Sequence, residues 1–308
     1  MNMAESSLEK ETRRAFHKIH LEHLADPHVA DRHSDIVDPL SMGLPVDFLV
    51  GARCADLGCG SAGHGVVNLL SLGAEFVNAL DLDQSFIGPL KDRMHQIGKH
   101  SDCWQADVGS ILALPYEANS FDFVLCRGVI HHVSDELTAL KEIHRVLKVG
   151  GKAFIYVTGK GGVLNRFFKE TLREEYRCNP EMRTVVESGE IEQWLKTQIT
   201  DLKTKIEPDD ENSWRASVNL LENLCELINN DLALSLRDML EAPEYKSYSE
   251  SEWFSLLEGA GFKQYYRVFK KPRYRNVRKI FAPLFVEHDH PLARLLYGDG
   301  SMNVIVTK

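Results

Sequence analysis

The sequence has little of what a secreted, membrane-spanning or general nucleic-acid-binding protein would need. Its six cysteines lie far apart and show no paired metal-ligand spacing, which predicts free thiols in a reducing compartment. No apolar run reaches the length of a membrane-spanning helix, and the first residues lack the basic-then-apolar pattern of a secretory signal. The formal net charge of −9 argues against a general nucleic-acid binder. We therefore expect a cytoplasmic protein without a membrane partner.

What the sequence does contain is apolar material for a substantial core, 44% of its 308 residues. The main signal is a glycine-rich stretch, in which an apolar strand over 53–57 is followed by Gly58, Gly60 and Gly63 and then by a helix from Val66. Free N–H groups at the start of such a helix can face a ligand at the carboxyl end of the strand. The pattern G-x-G-x-x-G alone is weak evidence, so a dinucleotide remains one of the candidate ligands.

Acidic residues stand at the ends of two further predicted strands. Asp81 follows a strand over 75–80, and Asp107 follows a strand over 102–106. An acid beside the glycine-rich turn can accept both hydroxyls of a ribose. Ordinary turn-forming aspartates are the alternative, and two acids at equivalent places make that alternative weaker. Asp56, two residues before the first glycine, places a carboxylate that suits a cationic group better than a pyrophosphate.

Together these motifs resemble a class I S-adenosylmethionine (SAM) dependent methyltransferase of the small-molecule type over residues 51–157. The stretches that carry the resemblance, in the family's order and at roughly its spacing, are 56–63, 79–83, 105–107 with Leu114-Pro115, 120–124 and 145–151. The resemblance implies an α/β fold, with a Rossmann-like seven-stranded, mostly parallel sheet whose last strand is antiparallel. It also implies SAM as the cofactor and S-adenosylhomocysteine as its product. In the matching families the acid at Asp107 takes the exocyclic amine of adenine, with Val108 near the ring.

The cofactor-binding residues that follow from the resemblance lie at the ends of the first, second, third and fourth predicted strands. They are Asp56, Gly58, Cys59, Gly60, Gly63, Asp81, Leu82, Asp107, Val108, Cys126 and Arg127. Arg127 also suits an anionic substrate or a salt bridge to a neighbouring acid.

The end of the fourth predicted strand, 121–126, borders both the cofactor and the second substrate in such a sheet. His131 follows it at the start of the next predicted helix, and imidazole titrates near neutral pH, so His131 is the candidate general base. Positioning or packing is the alternative role for His131, and His132 is interpreted as structural. Some relatives hold a metal here with a glutamate pair. Gly128 and His131 stand in its place, so no metal site is expected.

Four parts are predicted along the chain: an N-terminal helical lid segment, the SAM-binding core, a helical insertion interpreted as a substrate lid, and a C-terminal part with the last helix and two strands. Their ranges are 1–48, 49–158, 159–247 and 248–308. Within the first, a helix spans 7–25 and a linker spans 35–48. The helix from 135 to 147 is expected to close on a C-cap turn at Gly150-Gly151. In the last part, Ser249 and Glu252 form a capping box.

Several polar clusters leave alternatives open. The stretch 270–279 is basic with an aromatic residue in its middle, and suits phosphate, an acidic lipid or RNA, or else a solvated loop. His17, His20 and His23 share a face of the first helix, which suits a metal or a solvated surface. Residues 287–290 offer metal ligands or form a surface turn.

The sequence therefore predicts a SAM-dependent methyltransferase that acts on O or N of a small-molecule acceptor. One alternative is a tRNA or protein methyltransferase that uses 270–279. Another is a SAM-binding protein without transfer activity, and an NAD-dependent enzyme is a more distant one. The oligomeric state is open, with a homodimer as one option.

Overall fold

The computed structural model describes residues 6–25, 36–99, 101–163, 166–205, 211–227, 237–268 and 291–308. The chain divides into two compact units. The first comprises 1–160, 242–270 and 299–308, and the second comprises 161–241 and 271–298. In the described part of the chain, all strands of the sheet belong to the first unit, and the second is helical.

The strands are β1 (Arg53–Leu57), β2 (Phe76–Asp81), β3 (Trp104–Val108), β4 (Phe121–Arg127), β5 (Leu147–Thr158), β6 (Gln264–Arg267) and β7 (Ser301–Thr307). They form one sheet in the order β3-β2-β1-β4-β5-β7-β6. β1 to β5 pair in parallel, whereas β7 runs antiparallel to both β5 and β6. The predicted sheet with an antiparallel last strand is confirmed.

The helices are α1 (Ser7–Ala25), α2 (His64–Ser71), α3 (Ile87–Gln96), α4 (Glu136–Val146), α5 (Thr171–Cys178), α6 (Pro180–Ser188), α7 (Ile191–Lys205), α8 (Glu211–Leu227), α9 (Glu250–Gly259) and α10 (Pro291–Tyr297). Two hydrophobic clusters cover the two faces of the sheet, one with residues of α4 and α9 and the other with residues of α2 and α3. The sheet is thus apolar on both sides, as parallel strands require. The strand order reverses between β1 and β4, so a crevice opens there at the carboxyl ends of the strands.

The junction between α4 and β5 differs from the prediction. The helix ends at Val146, and Leu147 is already extended, with φ −67° and ψ 139°. The expected C-cap turn at Gly150-Gly151 is therefore wrong. Gly150, with φ +78°, lies inside β5, where the register against β4 shifts between Phe121 and Phe123.

The segment after Asp35 is not a free linker. It forms no helix or strand over 36–50, yet four of its apolar side chains are buried in the cluster on one face of the sheet. Its backbone is anchored as well, because the Val37 N–H donates to Asn68 Oδ1 of α2 at 2.6 Å. The buried side chains are Val37, Met42, Leu44 and Leu49.

In the described part of the second unit, the helices α5 to α8 and α10 range from 7 to 17 residues. α6 begins after Asn179, whose side chain accepts from the Glu181 and Met182 N–H groups at 3.1 and 3.3 Å. It ends at Gly189, which has φ +73°. Within the described residues, the longest apolar stretch of any helix falls short of what a bilayer crossing requires. The role of residues 159–247 as a substrate lid stays a prediction.

Candidate active site

The turn between β1 and α2 brings backbone rather than side chains to the carboxyl edge of the sheet. Gly58 and Gly63 have φ of +77° and +53°, a region in which L side chains are strained. A Cβ at Gly58 would lie 2.3 Å from Val129 Cγ2, and a Cβ at Gly63 would lie 2.2 Å from Leu90 Cδ1. Gly63 is also the N-cap of α2 and provides no side-chain cap. The start of α2 therefore presents backbone N–H groups to a ligand.

Asp81 lies beside this turn, as predicted, because β1 and β2 pair Leu57 with Leu80. The Gly60 N–H donates to Asp81 Oδ2 at 2.9 Å, and the Asp83 N–H donates to Oδ1 at 3.1 Å. Two backbone donors thus orient the carboxylate and leave lone pairs on both oxygens. A carboxylate held in this way can accept the two hydroxyls of a ribose.

Asp107 is the second-to-last residue of the neighbouring strand β3, where it pairs with Leu80. Its carboxylate accepts from three side chains: Asn78 Nδ2 at 3.0 Å, Tyr116 OH at 3.0 Å and Gln105 Nε2 at 2.6 Å. A carboxylate has about four acceptor positions, so about one remains for a ligand. Burial, with the charge of Asp107 adding to it, raises the pKa of Tyr116, which keeps the phenol a donor. Val108 follows and is 46% exposed.

Asp56 is buried under the start of α2. Its pKa is raised to about 7, first by burial and then by the charge of Asp81, while a hydrogen bond from the Val66 N–H and the charge of Arg127 act in the opposite direction. Gly65 is needed here, because a Cβ at that position would lie 2.3 Å from Asp56 Oδ2. Its suggested role toward a cationic group stays a prediction.

The cysteines of the site are thiols, not thiolates. Burial raises the pKa of Cys59, with Asp81 and Asp56 adding to it, and burial raises the pKa of Cys126. Within the described residues, neither Cys59 nor Cys126 forms a disulfide. These two cysteines therefore offer packing and close contact rather than nucleophilic chemistry.

The end of β4 presents Arg127. Its Cζ lies 5.9 Å from the centre of the Tyr156 ring, a cation–π distance. The side chain is exposed beyond the buried strand. Arg127 thus lies at the carboxyl edge of the sheet with its guanidinium over the Tyr156 ring.

His131 lies in a single 3₁₀ turn, Ile130–His132, and not on α4. The prediction that it starts the helix is wrong, because Asp135 caps α4 by accepting the Thr138 N–H at 2.9 Å. His131 is only 1% exposed. Its ring centre lies 4.1 Å from that of His132, so the two imidazoles pack together.

Tyr245 is a member of the site that sequence reasoning missed. Its ring centre lies 5.3 Å from that of His131, and its OH lies 2.9 Å from Thr158 Oγ1 at the end of β5. The surrounding segment is anchored to the histidines, since the Lys246 N–H donates to His131 O at 2.9 Å. His132 Nδ1 also lies 2.8 Å from Glu244 O. Tyr245 belongs to no motif, and nothing in its local sequence marks it.

Helix α1 has the predicted bounds and is N-capped by Ser6, whose Oγ accepts the Glu9 N–H at 3.2 Å. It contacts the edge of the sheet at several points. The Phe16 ring lies 4.8 Å from that of His132, and His17 Nδ1 lies 2.7 Å from Asp83 Oδ2. Of the three histidines on the predicted face, His17 is bonded to Asp83. The side chain of His23 and the stretches 270–279 and 287–290 lie outside the described residues.

This strand order, glycine turn and pair of strand-end acids define a nucleotide-binding α/β class in which the ligand site lies at the carboxyl edge. Residues 55–155 match the family model described as a methyltransferase domain. They therefore form a class I, SAM-dependent methyltransferase domain, and the predicted family resemblance and cofactor class are confirmed. The match covers about a third of the chain.

Curated relatives are similar over the same region. The demethylmenaquinone methyltransferase of Staphylococcus haemolyticus is 35% identical over 103 residues, which cover 33% of this chain and 41% of that protein. The probable tRNA methyltransferase 9B of Mus musculus is 34% identical over 123 residues, covering 39% and 25%. The chain thus spans less than half the length of these relatives. Among solved structures, the cyclase SpnF aligns over 100% of this chain and 99% of its own with a TM-score of 0.53 and 15% identity, a likeness of fold.

Proposed function

We propose that the protein transfers the methyl group of SAM to an oxygen or nitrogen of a small-molecule acceptor. The observation that carries the proposal is the Asp81 carboxylate, oriented by the Gly60 N–H at 2.9 Å beside the glycine turn. When bound, SAM supplies a methyl group on a sulfonium, which is already a good leaving group. The protein then has to bind the two substrates, align the acceptor with the methyl group and exclude water. Alignment alone can lower the activation barrier by up to about 7–11 kcal/mol in model systems.

The proposed cofactor contacts follow from the positions of these groups at the carboxyl edge of the sheet. Asp81 accepts the ribose hydroxyls, and Asp107 accepts the adenine amine at its remaining acceptor position. Val108 lies against the adenine ring. The backbone from Gly58 to Gly63, with Cys59 and the following α2, approaches the rest of the ligand closely. Leu82, Cys126 and Asp56 shape the wall around it, and Arg127 pairs with a carboxylate.

The acceptor side is proposed at the ends of β4 and β5. His131, Tyr245 and Tyr156 bring rings together there, with ring centres 5.3 and 6.1 Å from that of His131. His131 is the proposed base, which takes a proton from the acceptor when the nucleophile must lose one. Burial among rings keeps water out of this region, which favours direct transfer to the acceptor.

Calorimetric titration with SAM, S-adenosylhomocysteine and NAD tests the cofactor part. We expect both sulfur ligands to bind and NAD not to bind. Asp81→Ala should lower the affinity for both sulfur ligands by about 100-fold or more, because the charged acceptor for two ribose hydroxyls is lost. Asp92→Ala, which removes an exposed carboxylate on α3, is the matched control and should bind as the unaltered protein does. Binding of NAD alone would refute the assignment.

A tRNA acceptor is the second candidate function, and the similarity to the probable tRNA methyltransferase 9B of Mus musculus favours it. The basic stretch 270–279 would then contact phosphates. This predicts salt-sensitive binding to tRNA that falls when Lys270, Lys271 and Arg273 are neutralised together. Salt-independent binding, or no binding to tRNA, would leave the small-molecule acceptor.

A protein that binds SAM without transferring its methyl group is the remaining alternative. The likeness of fold to a cyclase keeps it in view, because the same fold serves another reaction. Incubation with methyl-labelled SAM and a panel of hydroxyl and amine acceptors separates the two. Labelled product with any acceptor supports transfer. Binding without any product across the panel favours the non-catalytic alternative.

A further inference from the structure

Helix α1 is held against the edge of the sheet by little apolar contact. Among its described apolar side chains, only Ile19 is buried. Phe16 adds an edge-on ring contact to His132, and Glu9 forms a hydrogen bond with Ser110. A helix that buries so little apolar surface belongs to the less stable part of a fold, so each polar contact carries a large share of its attachment.

One of these polar contacts involves His17 and an acceptor that is already fixed in place. Asp83 precedes the turn into α3 and accepts from the Ser85 N–H at 3.0 Å and from Ser85 Oγ at 2.6 Å. His17 Nδ1 lies 2.7 Å from Asp83 Oδ2 and 2.9 Å from Ser85 Oγ. Burial raises the pKa of Asp83, but the hydrogen bonds from Ser85 and His17 outweigh it, so the pKa is lowered. The carboxylate is therefore an ionised, pre-oriented partner for the imidazole.

His20 lies one turn further along α1, on the same face as His17. Its Nε2 is 3.1 Å from the position that a Cβ at Gly60 would occupy. Gly60 is the residue whose N–H orients Asp81. Burial lowers the pKa of His20, although Asp81 and Asp83 act in the opposite direction, so the ring is favoured in its neutral form. A neutral imidazole thus covers the glycine turn at Gly60, the residue whose N–H orients Asp81, the candidate ribose acceptor.

We propose that α1 contributes two histidines to the cofactor site. His20 borders the bound cofactor at Gly60 and Asp81, and His17 is a positioning residue that holds His20 there through Asp83 and Ser85. The proposal rests on the proposed function, because it takes SAM or S-adenosylhomocysteine as the occupant. Since His20 covers the turn, α1 has to move away for the cofactor to leave. Loss of the His17 contacts therefore accelerates dissociation.

Stopped-flow dissociation of S-adenosylhomocysteine tests the role of His17. His17→Ala should increase the dissociation rate constant about three- to ten-fold, the equivalent of one lost hydrogen bond. His17→Asn, whose amide N–H can stand in for Nδ1–H, should stay within about two-fold of the unaltered protein. Arg14→Ala, an exposed change on the same helix, should leave the rate unchanged. Equal rates for His17→Ala and Arg14→Ala would overturn the positioning role.

Two further readouts separate this proposal from the proposed function. Hydrogen exchange of the α1 amides in the free protein should be faster in His17→Ala than in Arg14→Ala. Equal exchange rates would overturn the positioning role of His17, whichever cofactor the protein binds.

The imidazole signals of His20 in a nitrogen-15 NMR spectrum should move when S-adenosylhomocysteine binds. Signals that stay in place while calorimetry shows binding would overturn the contact of His20 with the cofactor. If the unaltered protein binds no sulfur ligand, the proposed function fails. Hydrogen exchange then still tests whether the contacts of His17 with Asp83 and Ser85 hold α1 in place.

Discussion

The two halves of the sheet's carboxyl edge are built in different ways. At the ends of β1, β2 and β3, backbone N–H groups and strand-end acids are placed by turns, as in the bond from Gly60 to Asp81. At the ends of β4 and β5, side-chain rings pack on one another, with His131 against His132 and Tyr245. The first half is the proposed cofactor site, built mostly from backbone groups and carboxylates. The second half is built from side-chain rings, which can be exchanged without changing the strand order, so we propose that it selects the acceptor.

This difference predicts that changes in the two halves separate cofactor binding from catalysis. Changes near Asp56 and α2 should alter the cofactor site and the stability of the domain together. Changes at His131 and Tyr245 should alter turnover or acceptor binding and leave the affinity for SAM in place. Four substitutions test the comparison, from the largest expected effect to the smallest.

His131→Gln should have the largest effect if His131 is the base. It removes the titratable ring at similar size, so turnover of an acceptor that must lose a proton should fall by about 100- to 10,000-fold. The affinity for SAM should stay within about two-fold, since His131 lies outside the proposed cofactor contacts. The measurements are single-turnover rates across pH and calorimetry with SAM. An unchanged rate and pH profile would assign His131 to packing.

Asp56→Asn should change the pH dependence of stability. The folded-state pKa of Asp56 is raised to about 7, so the folded protein binds this proton more tightly than the unfolded chain does. The stability that the neutral carboxyl contributes is therefore present at low pH and is lost as the pH rises from about 4 to about 7, by on the order of 4 kcal/mol at most. Urea unfolding at pH 4.5, 6 and 8 should show this loss in the unaltered protein and not in Asp56→Asn. Asp92→Asn, at an exposed carboxyl, should keep the loss.

Gly65→Ala should destabilise the first half of the edge through packing alone. The new Cβ would lie 2.3 Å from Asp56 Oδ2 and 2.6 Å from Leu125 Cδ2, so neighbours must shift at a cost of about 1–3 kcal/mol. The matched control is Gly259→Ala at the end of α9, where the nearest contact is 3.4 Å from Leu137 Cδ1. That change should be neutral or slightly stabilising. Equal unfolding free energies for the two variants would contradict the tight fit under α2.

Tyr245→Phe should have the smallest effect. It removes the hydroxyl that lies 2.9 Å from Thr158 Oγ1 and keeps the ring beside His131, so the free energy of unfolding should fall by about 0.5–1.5 kcal/mol. Because the change is confined to the second half of the edge, the KM for the acceptor should rise several-fold while the Kd for SAM stays constant. A change in the SAM Kd instead would show that the two halves are not independent.

Much of the first half was predictable because its signals are local in sequence. The bounds of β1 and α1 match the predictions, and the capping box of Ser249 and Glu252 is present. Apolar strands followed by glycines at fixed offsets fit few folds other than a parallel α/β sheet. The errors fall where a neighbouring element decides the geometry. Asp135 caps α4 and leaves His131 on a separate turn, and Leu147 enters β5 directly.

The sequence by itself determined the sheet, the glycine turn and the strand-end positions of Asp81 and Asp107, because hydrophobic periodicity and turn chemistry act over a few neighbouring residues. Only the tertiary structure decided which distant side chains meet at that edge. Tyr245 reaches His131 from more than a hundred residues away, and His17 and His20 reach Asp83 and Gly60 from the N-terminal helix. Such long-range contacts depend on how helices and strands pack together. No local sequence pattern around Tyr245, His17 or His20 predicts these contacts.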